Sequence, residues 1–284
     1  MNFWIIQTLN GISFGMLLFL LAAGLSLIFG LMKVLNLAHG SYYLLGGYLG
    51  LTVLQFTSSF LLALLGAVIG VTVIGILMER LVIRRIYGQV LRQALLTFGF
   101  LFIIADVSLW IWGGNPQTLP KPEAFTGSVR MGAIVFPSYR LLVIVVGVAI
   151  GIGLWLLQEK TRLGAMIRAG VDDEEMARGM GVNVPILFTV VFALGALLAA
   201  VGGIMGGVFV GVYPGADFEV LLLAFVVVII GGLGSLKGAF VGGLVVGLID
   251  NFGKALVPEF ALFTVFVPMA IILAIRPTGL FGRA

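Results

Sequence analysis

The sequence predicts an all-α, polytopic transmembrane helical bundle of eight to nine spans, some of them short or broken. Two observations carry that prediction. Hydrophobic residues fill 61% of the 284 positions and charged residues only 10%, too few to coat a soluble globule, and the mean hydropathy is +1.22. The apolar residues also gather into runs that approach the roughly 20 residues needed to cross a bilayer. The lipid is therefore the expected solvent, and residues 1–284 read as a single transmembrane domain with no soluble domain left over.

Nine hydrophobic segments follow along the chain: Ile5–Leu31, Ser41–Phe56, Ser59–Met78, Gln93–Trp112, Leu141–Leu157, Ile186–Val212, Val220–Gly234, Gly238–Phe252 and Phe260–Ile275. The first is too long for a signal-peptide core and has no basic flank, so it reads as a retained span. Ser41–Phe56, Val220–Gly234 and Gly238–Phe252 are marginal. Sixteen helical residues rise about 24 Å against a hydrocarbon core of about 30 Å, which marks these three as candidates for broken or half-spanning pieces.

Basic residues orient the segments, because lysine- and arginine-rich loops stay in the cytoplasm. Arg80, Arg84, Arg85 and Arg92 mark one inner loop, Lys160, Arg162, Arg168 and Arg178 another, and Lys33, Lys237, Arg276 and Arg283 fall on the same side. Lys121, Arg130, Arg140 and Lys254 fall outside. This puts the N-terminus outside, the C-terminus inside, the loop 113–140 on the outer face and the charge-dense stretch 159–185 in the cytoplasm. The outer loop is rich in proline and glycine, with an alternating patch over Val129–Phe136 that suits a hairpin. The basic isoelectric point follows from topology and does not imply nucleic acid.

Polar residues inside apolar runs are the candidates for function. His39 is the lone histidine, set in NLAHGS at a helix boundary between Asn36 and Ser41. It suits a proton relay, a substrate hydrogen-bond donor or a structural cap. Asp106 and Asp250 lie within apolar runs, where a lone charge costs roughly 2.5–3.5 kcal/mol. Lys254, four residues after Asp250, shares a helical face with it and suits an ion pair. FGLMKVLNLAHGSYYLLGGYLG (29–50) and IIGGLGSLKGAFVGGLVVG (229–247) each run from apolar helix into glycine, a lysine, a Gly-Ser pair and then a Gly-Gly pair. Glycine-interrupted segments in two halves of a chain point either to a transport pathway or to close helix packing.

The cytoplasmic stretch ends in DDEEMARGMG, which reads as a short helix capped by Asp172 or Asp173, acidic in its first turn and stopped by glycine. So short a helix needs a partner to pack against. No phosphate-binding loop, zinc-protease motif or nucleophile elbow is present, and zero cysteines exclude disulfides and thiolate metal sites. The chain therefore carries no site for hydrolytic chemistry, cofactor or metal of its own.

GLSLIFGLMKVLNLAHGSYYLLGGYLG (24–50), TRLGAMIRAGVDDEEMARGMGVNV (161–184), GGLGSLKGAFVGG (231–243) and the terminal RPTGLFG (276–282) resemble the bacterial branched-chain amino acid ABC transporter permeases, the LivH and LivM family, and LivH more closely. The resemblance implies a subunit of the bacterial inner membrane that pairs with a LivM-like second permease, sits on two ATP-hydrolysing subunits and receives an amino acid from a periplasmic binding protein. ATP is then consumed by the partner subunits. It also implies a coupling helix over 173–181, with Asp173, Glu174, Glu175, Ala177, Arg178 and Gly181 as its contact residues. Asn36, His39, Ser41, Gly46, Gly234 and Ser235 are then the candidates for lining or shaping the pathway. Urea and short-chain amide permeases look alike at these motifs. An ion-coupled carrier using Asp106, Asp250 or His39, and a passive channel, are the alternatives from other classes.

Overall fold

The computed structural model describes residues 2–132 and 134–282, apart from the side chain of Met131; Arg283, assigned above to the inner side, lies outside them. The helices are α1 (Asn2–Met32), α2 (His39–Thr57), α3 (Phe60–Leu81), α4 (Val90–Trp112), α5 (Ser138–Lys160), α6 (Arg162–Asp172), α7 (Glu174–Gly179), α8 (Val184–Phe209), α9 (Ala216–Gly231), α10 (Leu236–Leu256) and α11 (Ala261–Ile275). Strands β1 (Ser128–Met131) and β2 (Ile134–Pro137) form the hairpin that the alternating patch suggests, with Val129 opposite Phe136. The bundle has a hairpin end, and an opposite end that carries α6 and α7.

Among the described residues seven helical stretches are long and apolar enough to cross a membrane: α1, α3 continued to Ile86, α4, α5, α8, α10, and α11 counted from Pro258. α2 and α9 are not among them. α9 has only 16 residues, and α2 dilutes its apolar residues with Gly40, Gly46, Gly47, Gly50 and three tyrosines. Gly238–Phe252, marginal in the sequence, proves to be the interior of a 21-residue helix that starts at Leu236 and is capped by Ser235.

α1 and α8 form the centre, largely enclosed along their spanning windows, whereas α3, α4, α5 and α11 turn most of their apolar side chains outward. A helix apolar all round is what a central position demands, since no face needs water. The central contacts are made by small residues. Gly11 and Gly15 of α1 meet Gly243 and Gly247 of α10, each pair spaced by four, and a Cβ on Gly15 would press against the Gly243 carbonyl. Where lipid replaces water, association relies on such close approach of backbones.

The terminal RPTGLFG segment has a structural task. Leu280 and Phe281 N–H donate to the Ile230 and Gly231 carbonyls, 2.9 Å each. These are carbonyls at the end of α9 that have no partner within the helix.

Candidate functional site

The chain interrupts itself twice between helices. After α1 it turns back into the bundle over residues 33–38 before α2, and after α8 it does the same over 210–215 before α9. Backbone in these breaks cannot rely on a helix ladder, so neighbours supply it. The Thr97 hydroxyl of α4 accepts from Leu37 N–H (3.1 Å) and lies 3.2 Å from the Leu35 carbonyl. In the second break Val212 exchanges two backbone hydrogen bonds with Gln117 of the long 113–137 connection, at 2.7 and 2.9 Å.

Both short helices start deep inside. His39, the first residue of α2, is fully enclosed and donates from Nε2 to the Leu21 carbonyl at 3.0 Å. A carbonyl only accepts, so Nε2 carries the proton and Nδ1, which has no partner among the described residues, is the bare nitrogen. Leu21 lies eleven residues, about 17 Å at 1.5 Å per residue, from the Met32 end of α1, which places the start of α2 well within the bundle. There it meets the first turn of α9. The Ser41 hydroxyl donates to Asp217 Oδ2 at 3.3 Å, and a Cβ on Gly40 would collide with the Asp217 carbonyl.

Two helix N-termini thus converge on one buried carboxylate. Asp217 is 1% exposed and, among the described residues, has no basic partner; the partial positive charge of both helix starts and the Ser41 hydroxyl offset its burial instead. Asn36 is also enclosed, facing Tyr42 without a well-formed hydrogen bond for its carboxamide. The structure therefore brings Asn36, His39 and Ser41 together, closed in by packing. Gly46 lies on α2 with Ala200 of α8 where its Cβ would be. Gly234 and Ser235 are elsewhere, in the α9–α10 turn; Gly234 adopts φ +80° and rests on Gly30, and Ser235 Oγ accepts from Gly238 N–H at 3.0 Å.

Asp217 was missed because it lies between two apolar runs and looks like loop. The pattern GADFEV, a glycine followed by acids opening an apolar run, was the available signal. Glu79 was missed for a similar reason, at the end of a run beside a basic loop. Of the acids the sequence did single out, Asp250 pairs with Lys254 at 2.7 Å, while Asp106 is exposed on α4 with no ion pair among the described residues.

At the opposite end, the charged stretch forms two helices rather than one. α6 is capped by Thr161, whose Oγ1 accepts from Gly164 N–H (3.1 Å), and it buries Ile167 and Gly170. Asp173 caps α7, accepting from Met176 N–H at 2.9 Å. Glu174 pairs with Arg178 at 2.6 Å, Ala177 is buried, and Glu175 is exposed. Gly181 turns with φ +86°, a conformation that favours glycine, and three residues later α8 begins. The start of α8 is tied to α3. Arg84 reaches Glu79 (3.1 Å), the Pro185 carbonyl (2.8 Å) and Thr189 Oγ1 (2.7 Å), and Thr189 also contacts Glu79 at 2.8 Å.

Long apolar helices around a glycine-packed core, with two interior helix starts that meet, define a multi-pass membrane protein. The chain belongs to the family described as branched-chain amino acid transport system / permease component, whose model matches residues 7–276. It is 28% identical to the high-affinity branched-chain amino acid transport system permease protein BraD of Pseudomonas aeruginosa, over 98% of this chain and 95% of that protein. It is 27% identical to LivH of Escherichia coli K12 over the same shares. A probable LivH of Methanocaldococcus jannaschii is 25% identical over 96% and 91%. No solved structure matches the chain with significance.

Proposed function

We propose that this chain is the membrane-spanning permease subunit of an ATP-driven importer of branched-chain, hydrophobic amino acids. The observation that carries the reading is the family match over 7–276, with relatives named as amino acid permeases along nearly their whole length. In this reading residues 1–284 work as one domain in the bacterial inner membrane. The chain crosses nine times, α2 and α9 with their interior breaks completing two of the crossings. The N-terminus and loop 113–140 face outward; the C-terminus and the coupling region 159–185 face the cytoplasm. A LivM-like second permease, two ATP-hydrolysing subunits and a periplasmic binding protein complete the assembly, and ATP is bound and hydrolysed on those partners.

The mechanism follows from how the elements are joined. Closure of the ATPases on nucleotide presses on α7 through Asp173, Glu174, Glu175, Ala177, Arg178 and Gly181. Only four residues separate α7 from α8, so the displacement passes into α8 and, through Arg84, into α3. α8 leads to the 210–215 break and the junction with α2. Asn36, His39, Ser41 and Gly46, with Gly234 and Ser235 in the α9–α10 turn, shape the pathway that opens alternately to each side. Direction comes from the different affinity of nucleotide for the two states.

The test is uptake of radiolabelled leucine, with urea in parallel, into proteoliposomes holding the complete assembly. Leucine uptake that needs both ATP and the binding protein is the expected result. Urea uptake alone moves the chain to an amide permease, and accumulation without ATP refutes the reading.

A further inference from the structure

At the hairpin end, α1, α5, α9 and α10 surround a cavity of about 280 Å³ whose walls are of two kinds. Phe14, Leu17, Phe209 and Leu223 give it apolar surface, Phe14 and Phe209 being stacked with centroids 6.3 Å apart. Four charged residues stand around the same space: Arg140, Glu219, Asp250 and Lys254. Asp250 and Lys254 satisfy one another at 2.7 Å.

Arg140 and Glu219 do not. Among the described residues the Arg140 guanidinium has no acidic partner; it donates to the neutral Asn10 carboxamide and lies 4.6 Å over the Phe209 ring. Its backbone is pinned as well, since its carbonyl accepts from the Ser13 hydroxyl at 3.1 Å. Glu219, exposed on α9, has no basic partner among the described residues and accepts from the Tyr213 hydroxyl at 2.7 Å. That bond, with partial burial and the Glu219 charge, pushes the Tyr213 phenol up to about 12.

A half-buried cation such as Arg140 usually takes an acidic partner, because an uncompensated charge withdrawn from water is costly, whereas Glu219 is exposed and keeps its hydration. Here a cation held by neutral groups and an anion held by a phenol share one cavity from different helices. The lining sums to zero formal charge but has separate poles, which suits a neutral dipolar ligand better than an anion or a cation. The apolar walls suit an aliphatic side chain.

We propose that this cavity binds an α-amino acid zwitterion, with Arg140 holding the carboxylate, Glu219 the ammonium, and Phe14, Phe209 and Leu223 the side chain. The choice of ligand class rests on the import function proposed above. Arg140 is suited to its part, because a planar guanidinium fixed by stacking can grip a carboxylate with two parallel hydrogen bonds. The cavity also reaches Ala216, next to Asp217. A bound solute would thus wait beside the α2–α9 junction, whose own anion position the chain fills with the Asp217 side chain.

The experiment is equilibrium binding of radiolabelled leucine to the purified complete assembly without its binding protein. Leucinamide, which lacks the carboxylate, and 4-methylpentanoate, which lacks the ammonium, serve as competitors. Saturable leucine binding is expected, with both competitors at least about tenfold weaker. Arg140→Gln should weaken leucine by about tenfold or more and erase its preference over leucinamide; Glu219→Gln should erase the preference over 4-methylpentanoate. Leu223→Trp, which fills the space and leaves both charges, should abolish binding while the assembly elutes as a single species. Unchanged preferences in the charge variants, or leucine bound normally by Leu223→Trp, would overturn the site. So would an assembly that imports leucine yet shows no saturable binding. An assembly that does not import leucine at all refutes the import function instead.

Discussion

Removing the Arg84 guanidinium should cost far more than loss of an exposed cation normally does. The Glu79 side chain is 2% exposed and has two supports, Arg84 and the Thr189 hydroxyl. Arg84→Met keeps much of the side-chain bulk but leaves that buried carboxylate with a single hydroxyl, and removes one donor from the Pro185 carbonyl, which keeps the Thr189 hydroxyl at 3.1 Å. Breaking a buried ion pair from one side costs about 3–5 kcal/mol. Because the Arg84 side chain is 40% exposed, water screens part of the pair, and about 2–3 kcal/mol is the expected loss. The penalty comes from an orphaned charge rather than from a lost attraction, so Glu79→Gln in the Arg84→Met background should recover half of it or more. The assay is the monodisperse fraction after heating in detergent, followed by size exclusion. A midpoint lower by on the order of 5 °C is expected for Arg84→Met, with partial recovery in the double variant. Uptake per ATP should fall in parallel, since the polar tie between α8 and α3 is reduced to the Thr189–Glu79 hydrogen bond. An Arg84→Met protein as stable as the parent, or a double variant no better than the single one, would refute this reasoning.

Reversing the acids of α7 with Glu174→Arg and Glu175→Arg should leave the membrane bundle assembled, since the Glu174–Arg178 pair is exposed and such helix pairs contribute about 0.5 kcal/mol or less. Uptake and its coupling to ATP hydrolysis should be lost, and intact coupling would show that α7 is not the contact. Asp173→Ala removes the N-cap of the same helix, worth about 1 kcal/mol; faster amide exchange confined to 174–181 is the expected signature, and unchanged exchange would argue against the cap. Gly203→Val places a side chain on the Tyr43 carbonyl across the α2–α8 contact. Overpacking of this kind costs about 1–3 kcal/mol or more, and the variant should be recovered in reduced yield, whereas normal yield and melting would mean that α2 and α8 are not so close.

Much of this protein could be read before any fold was known. The helices, the hairpin around Val129–Phe136, an acidic cap at Asp172 or Asp173, which the structure gives to Asp173, and the Asp250–Lys254 pair are set by neighbours within a few positions in the chain, through periodicity, capping chemistry and four-residue spacing. Span lengths were less legible. Gly238–Phe252 looked short because Lys237 and Lys254 bound the apolar run, whereas α10 includes both lysines, running from Leu236 to Leu256 with Lys254 paired to Asp250.

Contacts between distant segments were not legible at all. Asp217 reads as loop until α9 is seen to start against Ser41, which lies 176 positions earlier. Glu79 reads as the polar end of a span until Arg84 and Thr189 close over it, and Arg140 and Glu219 lie on helices that no local pattern brings to one cavity. The sequence by itself determined that the chain lives in a bilayer as helices, because solvent preference and helix propensity are properties of each segment. Which helices are central, where two of them begin inside the bundle and which charges remain unpaired were decided by tertiary structure alone. Those outcomes depend on backbones approaching closely enough to exclude lipid and on buried charges finding partners, neither of which a linear pattern encodes.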